Sequence, residues 1–573
     1  MLFLLLSGVL HVHAGDRSGP ATGTVNFESL PAPAQPATRV HVSPKVMWFG
    51  QEVALTYQRL ATTGTPIGDS RPFAALYDVQ GRPIISGGKP RLCNGLDGAS
   101  LLEDGDDIYS VIHAECHPGA LQLSRLQQDA KTGILTALST TQVDFKALGG
   151  ANLFCAGERT PWGTHLAAEE FEADASKLQA DGTVSDNHQY YNNMARYWGG
   201  LTDQSPYQVG WIDELKVHDG THTVTKRYAL GRFSHEQARV MPDQRTVYLT
   251  DDGTNGAFFV FVADTAGDLS SGELYASAWT QADDSDAFTL AWVPLGHADE
   301  ETVGKAATSR VAFDAMFEVQ DGPTCNAGFR RVRTTHESRC IAVRPGMEML
   351  ASRLESRRVA ALKGATTELR KWEGMAIDAA ARRLYVAVSA VTHGMNAGHA
   401  EWDLPDADHV RLPENGCGMV MGLDVGTGAV ADTQGRVIQS EWIVSSAQSV
   451  IAGQESGPRT ESGYPRCAID GIANPDNLAF MPEANLLLIA EDTHGHDNNV
   501  LWAMQPQTKA LQRLAIAPVG AEVAGLNWFS DVGGFGYLTL TFQFSDADWQ
   551  SPEETGGEPL LSHSGVIGPF PVR

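Results

Sequence analysis

The sequence predicts an all-β chain folded as a β-propeller with long loops. Short runs rich in Val, Tyr, Phe and Leu recur from about residue 150 onward, each bounded by Gly, Asp or Asn. Fifty-eight glycines and twenty-eight prolines, in a chain that is not low-complexity, supply many turns and disfavour a helical bundle or disorder. Three segments also look like copies of one another: HEQARVMPDQRTVYLTDDG, WEGMAIDAAARRLYVAVS and PDNLAFMPEANLLLIAED. Each opens on an acid, continues through an apolar stretch and a short turn, and closes on a strand. A strand–turn–strand unit recurring with insertions between suits a propeller, whereas a sandwich gives no reason for an acid at a fixed register.

The chain has 573 residues, of which 42% are apolar and 19% charged, enough for a large core. Length alone suggests about four domains at ~150 residues each, but β-architectures exceed that as single units. With 42 Lys+Arg against 69 Asp+Glu the formal charge is −27. That charge, without basic blocks, argues against nucleic acid or an anionic membrane as partner and suits a protein that collects cations.

Taken in order, residues 1–14 (MLFLLLSGVLHVHA) hold one apolar run, Leu2 to Leu10, closed by the small Ala14. The run has the length of a signal-peptide core and is too short for a membrane span, although no Lys or Arg precedes it. A buried N-terminal strand is the alternative. Residues 15–45, rich in Pro, Ala and Gly, read as an extended tail, and 46–573 as a single propeller domain. The strands expected within it include RTVYLTDD (245–252), GAFFVFVA (256–263), RRLYVAVS (382–389), NLLLIAED (485–492) and GYLTLTFQF (536–544). Between them, Met347, Leu350, Leu354 and Ala361 recur at helical spacing and predict an inserted helix over 347–370.

Seven cysteines leave one unpaired. Cys325 and Cys340 bracket a polar loop and suit a local disulfide; Cys93 with Cys116, and Cys417 with Cys467, are further candidate pairs, though sequence does not fix connectivity. Cys155, in NLFCAGERTPWGTH, is the natural odd one, read either as a buried free thiol or as a metal thiolate. The acids opening the three copies are Glu236, Glu373 and Asp476, which stand 14, 15 and 14 residues before Thr250, Val388 and Ala490. In a propeller the start of each innermost strand faces the channel, so these carboxylates converge. Converging carboxylates repel unless a cation sits between them, and a hard cation such as Ca²⁺ is the usual occupant. A P-loop, HExxH, CxxC pair or GxSxG elbow is not found.

With those segments aligned, the chain resembles the PhoX-type alkaline phosphatases, secreted bacterial phosphomonoesterases. The resemblance runs from about Cys93 to Gln543 and rests on CAGERTPWGTHLAAEE (155–170), GRFSHEQA (231–238), KWEGMA (371–376) and NPDNLAF (474–480). It implies a six-bladed propeller with inserted helices and an active site holding two oxide-bridged ferric ions with calcium ions, hence Fe³⁺ and Ca²⁺ as cofactors. It further implies Cys155 as the iron thiolate, Glu236 and Glu373 as carboxylate ligands and Asp476 as a calcium ligand. One of Glu169 and Glu170 is expected to reach a metal. Lys371 and Glu373 are implied at the reacting phosphate, with Arg370, Lys371 and Asn477 as substrate contacts. The expected partner is a small phosphomonoester, met by a monomer in the periplasm or medium.

The chain departs from the family pattern in four places. Lys371 stands where the family has an Arg clamp two residues before the Glu of EGM, and Lys cannot make the planar bidentate contact. Gln543-Phe544-Ser545 replaces a Gln-His-Pro found in many relatives, and no twin-arginine pair opens the chain. EDTHGHDNN (491–499) is rich in His and Asp; Asp492, His494, His496 and Asp497 read as a solvated loop rather than as added ligands. Two other readings stay open: a calcium-dependent lactonase or phosphotriesterase-like hydrolase, and a non-enzymatic propeller using calcium for rigidity.

Overall fold

The computed structural model describes residues 25–572, apart from 186–189, 284, 336, 400, 404–407, 461–462 and 545–559. The expected signal peptide therefore lies outside the described residues. The architecture is mostly antiparallel β and propeller-like. Successive meanders begin with the strands Leu96–Asp104, Phe154–Arg159, His235–Val240, Trp372–Asp378, Pro475–Met481 and Glu522–Val532. Each of these strands touches the next, and the last touches the first, so together they ring a common axis. The three sequence copies are the first two strands of the third, fourth and fifth meanders.

The third and fourth meanders merge into one nine-stranded sheet. The long hairpin Asp268–Gln281/Ala287–Asp299 reaches across and pairs residues 287–289 with 446–448. The last meander borrows its outer strand from the other end of the chain: Thr56–Thr62 pairs with His563–Pro571, which joins the chain ends and covers a free sheet edge. Of the segment read as an extended tail, the described part lies against this body. Val25–Phe27 pairs with Lys45–Trp48, His41–Val42 adds to the edge of the fifth meander, and Phe27 is buried. The core sits between neighbouring meanders, as where Leu488, Ala490 and Leu501 meet Leu538 and Leu540.

The helix expected over 347–370 is shorter and broken. It forms as Glu348–Leu354 and Ser356–Lys363, interrupted at Glu355 (φ −136°, ψ 51°) and ended by Gly364 at φ +87°. The break leaves the Glu355 carboxylate to accept from Tyr207 Oη at 2.8 Å and from Arg358. Just beyond it, Arg357 grips Asp251 through two bonds of 2.9 and 2.6 Å and Glu172 at 2.5 Å. All three side chains are buried, so this insertion braces the third meander from outside the ring. The disulfides are Cys93–Cys116, Cys325–Cys340 and Cys417–Cys467; Cys155 is the free, buried thiol.

Candidate metal centre

Every ring strand carries the same irregularity. Against two residues of its partner strand it spends three, one extra each time: between Leu96 and Ala99, Phe154 and Gly157, His235 and Ala238, Trp372 and Met375, Pro475 and Leu478, and Ala524 and Asn527. A β-bulge of this kind bends the strand and re-aims the side chain it carries. The first bulge residues are, in order, Asp97, Cys155, Glu236, Glu373, Asp476 and Gly525. The first five line one cleft.

A second set lies one step past the matching residue of each partner strand: Glu115, Glu170, Asp252, Ser389, Asp492 and Phe542. In five meanders the backbone N–H of that residue donates to the carbonyl two residues before the bulge, at 2.8 to 3.2 Å. Three of those carbonyl residues, Leu153, Lys371 and Asn474, have φ between +39° and +52°. Side chains other than glycine rarely adopt that region. Glu115, Glu170, Asp252 and Asp492 line the cleft with the first set, joined by Glu522, Gln543 and Lys371. The sixth meander offers Gly525 (φ +62°) instead of a ligand; a Cβ there would stand 2.6 Å from Thr541 Oγ1.

The donor atoms crowd. Cys155 Sγ lies 2.9 Å from Glu236 Oε2 and 3.3 Å from Asp97 Oδ2. Three overlapping triads, Asp97–Glu115–Cys155, Cys155–Glu170–Glu236 and Glu236–Asp252–Glu373, each hold their donor atoms within 4.8 Å of one another. Lys371 Nζ bridges Asp252 at 2.7 Å and Glu373 at 2.9 Å, and Ser389 Oγ donates to Glu373 at 2.9 Å. Burial pushes Glu115 and Glu373 up to about 7, with neighbouring carboxylates adding to it. Asp97, Glu170, Glu236, Asp476, Asp492 and Glu522 rise for the same two reasons. The Cys155 thiol rises too, through burial and then the charges of Asp97 and Glu236. Lys371 goes the other way from a typical buried lysine: burial favours its neutral form, but Asp252 and Glu373 outweigh that and hold it as an ammonium.

Bare carboxylates at this density are unfavourable, and cations relieve them. The residues present fit that need. The buried oxygens Asp97 Oδ1, Glu236 Oε1 and Asp252 Oδ1 have no hydrogen-bond partner among the described residues. A thiolate beside carboxylates suits a transition metal, and the oxygen-only positions suit a hard cation.

Next to Cys155, buried His113 lies against Gly98 and Gly157 of the first two ring strands, and buried His165 lies against Gly157. His113 Nδ1 meets the Cys155 carbonyl at 2.5 Å, the two Nε2 atoms lie 2.6 Å apart, and His165 Nδ1 meets Ser100 Oγ at 2.8 Å. Burial keeps both rings neutral, His113 falling to about 4. One consistent assignment then runs from the Ser100 hydroxyl through both imidazoles to the carbonyl, fixing the backbone that aims the thiol.

Cys155, Glu170, Glu236, Glu373, Asp476 and Lys371 all face the cleft. Glu169 does not. It ends the strand His165–Glu169, where consecutive side chains take opposite faces, and it forms a buried ion pair with Lys226 while accepting from Gly210 N at 2.8 Å. Asn477 is not among the residues lining the cleft; it donates to Asp476 Oδ1 at 2.6 Å and accepts from Leu526 N at 3.3 Å, which fixes the Asp476 carboxylate. Arg370 turns aside to Thr254 Oγ1 at 2.5 Å.

In the 491–499 segment the solvated-loop reading fails for buried His496, 3.0 Å from Glu491; Asp492 is exposed and also lines the cleft. It holds for Asp497, paired with Arg466 at 2.6 Å, and for His494, exposed and packed on Tyr464. Where relatives have His after Gln543, Phe544 is buried in the core, and Gln543 itself donates to Glu115 at 2.6 Å. Sequence reasoning missed Asp97, Glu115, Asp252 and Glu522. The Asp-Asp of YLTDDG, closing the first sequence copy, was the one available signal.

A propeller-like body with a thiol and nine acids gathered on its axis defines a class of metal-dependent enzymes. A family model described as alkaline phosphatase PhoX matches residues 127–535. The chain belongs to that family. PhoX of Pseudomonas fluorescens, solved with vanadate as a transition-state analogue, is similar in fold at 17% identity and a TM-score of 0.61, covering 95% of this chain and 98% of that one. Much weaker matches include a putative 6-phosphogluconolactonase of Bacteroides uniformis (13% identity, TM-score 0.27, covering 76% of this chain and 89% of that one). Another is hydrazine synthase of Kuenenia stuttgartiensis (12% identity, TM-score 0.29, covering 79% and 95%). No curated protein matches the chain.

Proposed function

We propose that the chain is an extracytoplasmic phosphatase hydrolysing phosphate monoesters at a multinuclear iron and calcium site on the axis of a six-bladed propeller. The observation that carries this reading is the repeated bulge, which brings Asp97, Cys155, Glu236, Glu373 and Asp476 to one cleft. Cys155, with Asp97, Glu115, Glu170 and Glu236, is the set for iron; Asp252, Glu373, Asp476, Asp492 and Glu522 are the set for calcium. When bound, the cations supply Lewis-acid stabilisation of the phosphoryl oxygens and a nucleophile at working pH. Lys371 adds a fixed positive charge at the cleft wall, positioned between Asp252 and Glu373 to meet a phosphate oxygen. It does so as a point charge, without the two-pronged grip of an arginine. The local charge of the loaded site, not the −27 of the chain, is what an anionic ester meets.

Export is supported by three disulfides, which persist in oxidising compartments. Residues 1–14 serve as the export signal in this reading, and 46–573 form one domain acting as a monomer. Among the described residues no helix is long and apolar enough to cross a membrane.

The test is phosphate release from p-nitrophenyl phosphate at alkaline pH, with added Ca²⁺ and after chelation, beside metal analysis of the purified protein. Iron and calcium in the protein, and turnover restored by Ca²⁺, are expected. If Glu236→Gln and Cys155→Ala keep both metal content and turnover, the site is wrongly assigned.

A further inference from the structure

We propose that Arg370 is a specificity-determining residue beside this cleft, placed to receive a carboxylate carried on the alcohol part of the ester. The preferred substrates are then phosphomonoesters of hydroxy acids. The inference rests on the phosphatase reading above and names its substrate class.

Arg370 stands on the first rung beyond the cleft wall. The wall itself holds the ion pair of Asp252 with Lys371 at 2.7 Å. One residue before Lys371 and two after Asp252, Arg370 and Thr254 face each other across the short ribbon Thr254–Gly256/Leu369–Arg370. Arg370 Nη1 donates to Thr254 Oγ1 at 2.5 Å. Among the described residues that is its whole hydrogen bonding: Nε is buried without a partner, and no carboxylate forms an ion pair with the guanidinium.

Other buried arginines of this chain are satisfied. Arg357 holds Asp251 and Glu172, Arg232 donates to the carbonyls of Val209, Ala173 and Pro206, and Arg353 to those of Ala229, Gly272 and Gly296. Arg370, half-buried, is left with one bond from five N–H groups in a chain that carries 69 acids. Burial disfavours its charge, and the more distant Asp252 and Glu373 offset this only in part. Those two carboxylates already have Lys371 in contact with both. The fold therefore supplies Arg370 with no counterion, and an incoming carboxylate would. A planar guanidinium matches a planar carboxylate, while the compact ammonium of Lys371 is left for the phosphate.

A second donor lies on the same ribbon, against which the turn His393–Met395 packs. His393 sits at φ +58°, where a side chain stays only if its surroundings impose it. Burial and then the charge of Arg370 lower the ring to about 4, so it is neutral. With the Thr392 hydroxyl donating to Nδ1 at 2.9 Å, Nε2 carries the ring hydrogen and has no partner among the described residues.

The deciding comparison is 3-phosphoglycerate against glycerol 3-phosphate of the same configuration, with the metal-replete full chain. Both esters release a primary alcohol and differ by a carboxylate in place of a hydroxymethyl group. The expected kcat/KM ratio is about ten-fold in favour of the carboxylated ester, carried mainly by KM. Arg370→Gln should bring the ratio to one or below, whereas a merely structural role would lower both esters alike and keep the ratio. Arg370→Lys serves as the second variant if Arg370→Gln does not fold, and should reduce the ratio several-fold because the fork is lost. A wild-type ratio near one, or a ratio that survives substitution, overturns the proposal. If neither ester is hydrolysed, the phosphatase reading fails, and calorimetric titration with the same two compounds decides the role of Arg370. Tighter binding of 3-phosphoglycerate, lost in Arg370→Gln, sustains it; equal or undetectable binding overturns it.

Discussion

Glu373→Gln tests whether the acidic ring is a store of electrostatic strain that cations relieve. In the metal-free protein, burial, and then the charge of Asp252, raise Glu373 from 4.5 to about 7, net of the opposing bonds from Lys371 and Ser389. A carboxyl whose folded value lies above its unfolded one favours folding fully below about 4.5. That contribution is lost as pH rises through 7. Two and a half pH units correspond to about 3 kcal/mol. Gln does not titrate and mimics the protonated acid. Chelated wild type and Glu373→Gln are therefore expected to have similar stability at pH 4.5 to 5. By pH 8 the variant should be more stable by up to about 3 kcal/mol. With excess Ca²⁺ the order at pH 8 should reverse, because the wild-type carboxylate gains a cation that Gln holds poorly. Guanidinium unfolding followed by fluorescence of the twelve tryptophans reads all four series. Parallel curves for the two chelated proteins across pH 5 to 8 would refute the reasoning.

Three further outcomes are expected. Cys155→Ser should fold with its three disulfides intact but lose iron and about 100-fold or more in kcat, measured by metal analysis beside phosphate release. Arg357→Met leaves Asp251 and Glu172 buried without their cation and should cost about 3 to 5 kcal/mol in denaturant unfolding, since it breaks a buried pair from one side. Gly98→Ala places a Cβ 2.4 Å from His113 Nδ1 and 2.8 Å from the Cys155 carbonyl. It should destabilise the chain by about 1 to 3 kcal/mol and lower iron content, whereas Gly428→Ala, with open space at its Cβ and no left-handed φ, serves as control for an added methyl.

Much of the architecture was written locally. The strand–turn–strand copies at 235–251, 372–388 and 475–491 are hairpins because alternating apolar residues and short polar turns impose them without help from the rest of the chain. Glu236, Glu373 and Asp476 were legible for the same reason: they sit at one register of a visible repeat. Cys155 stood out by the odd count of cysteines.

Other members of the site carried no such local mark. Asp97 lies on a strand, and Glu115 directly follows one, whose sequence shares little with the three copies, and Glu522 lies on a strand where the bulge itself holds Gly525. Glu169 and Glu170 are adjacent and chemically alike, yet one neutralises Lys226 and the other faces the cleft, because the pleat sends neighbours to opposite sides. Asp492 is solvated, as its polar neighbours suggest, but only the placement of the fifth meander sets it at the wall of the cleft. By itself, then, the sequence determined the hairpins, the odd thiol and three in-register acids, all set by interactions within about twenty residues. Closing the ring decided which carboxylates meet, because convergence depends on how separate strands bend at their bulges, and no single segment encodes that.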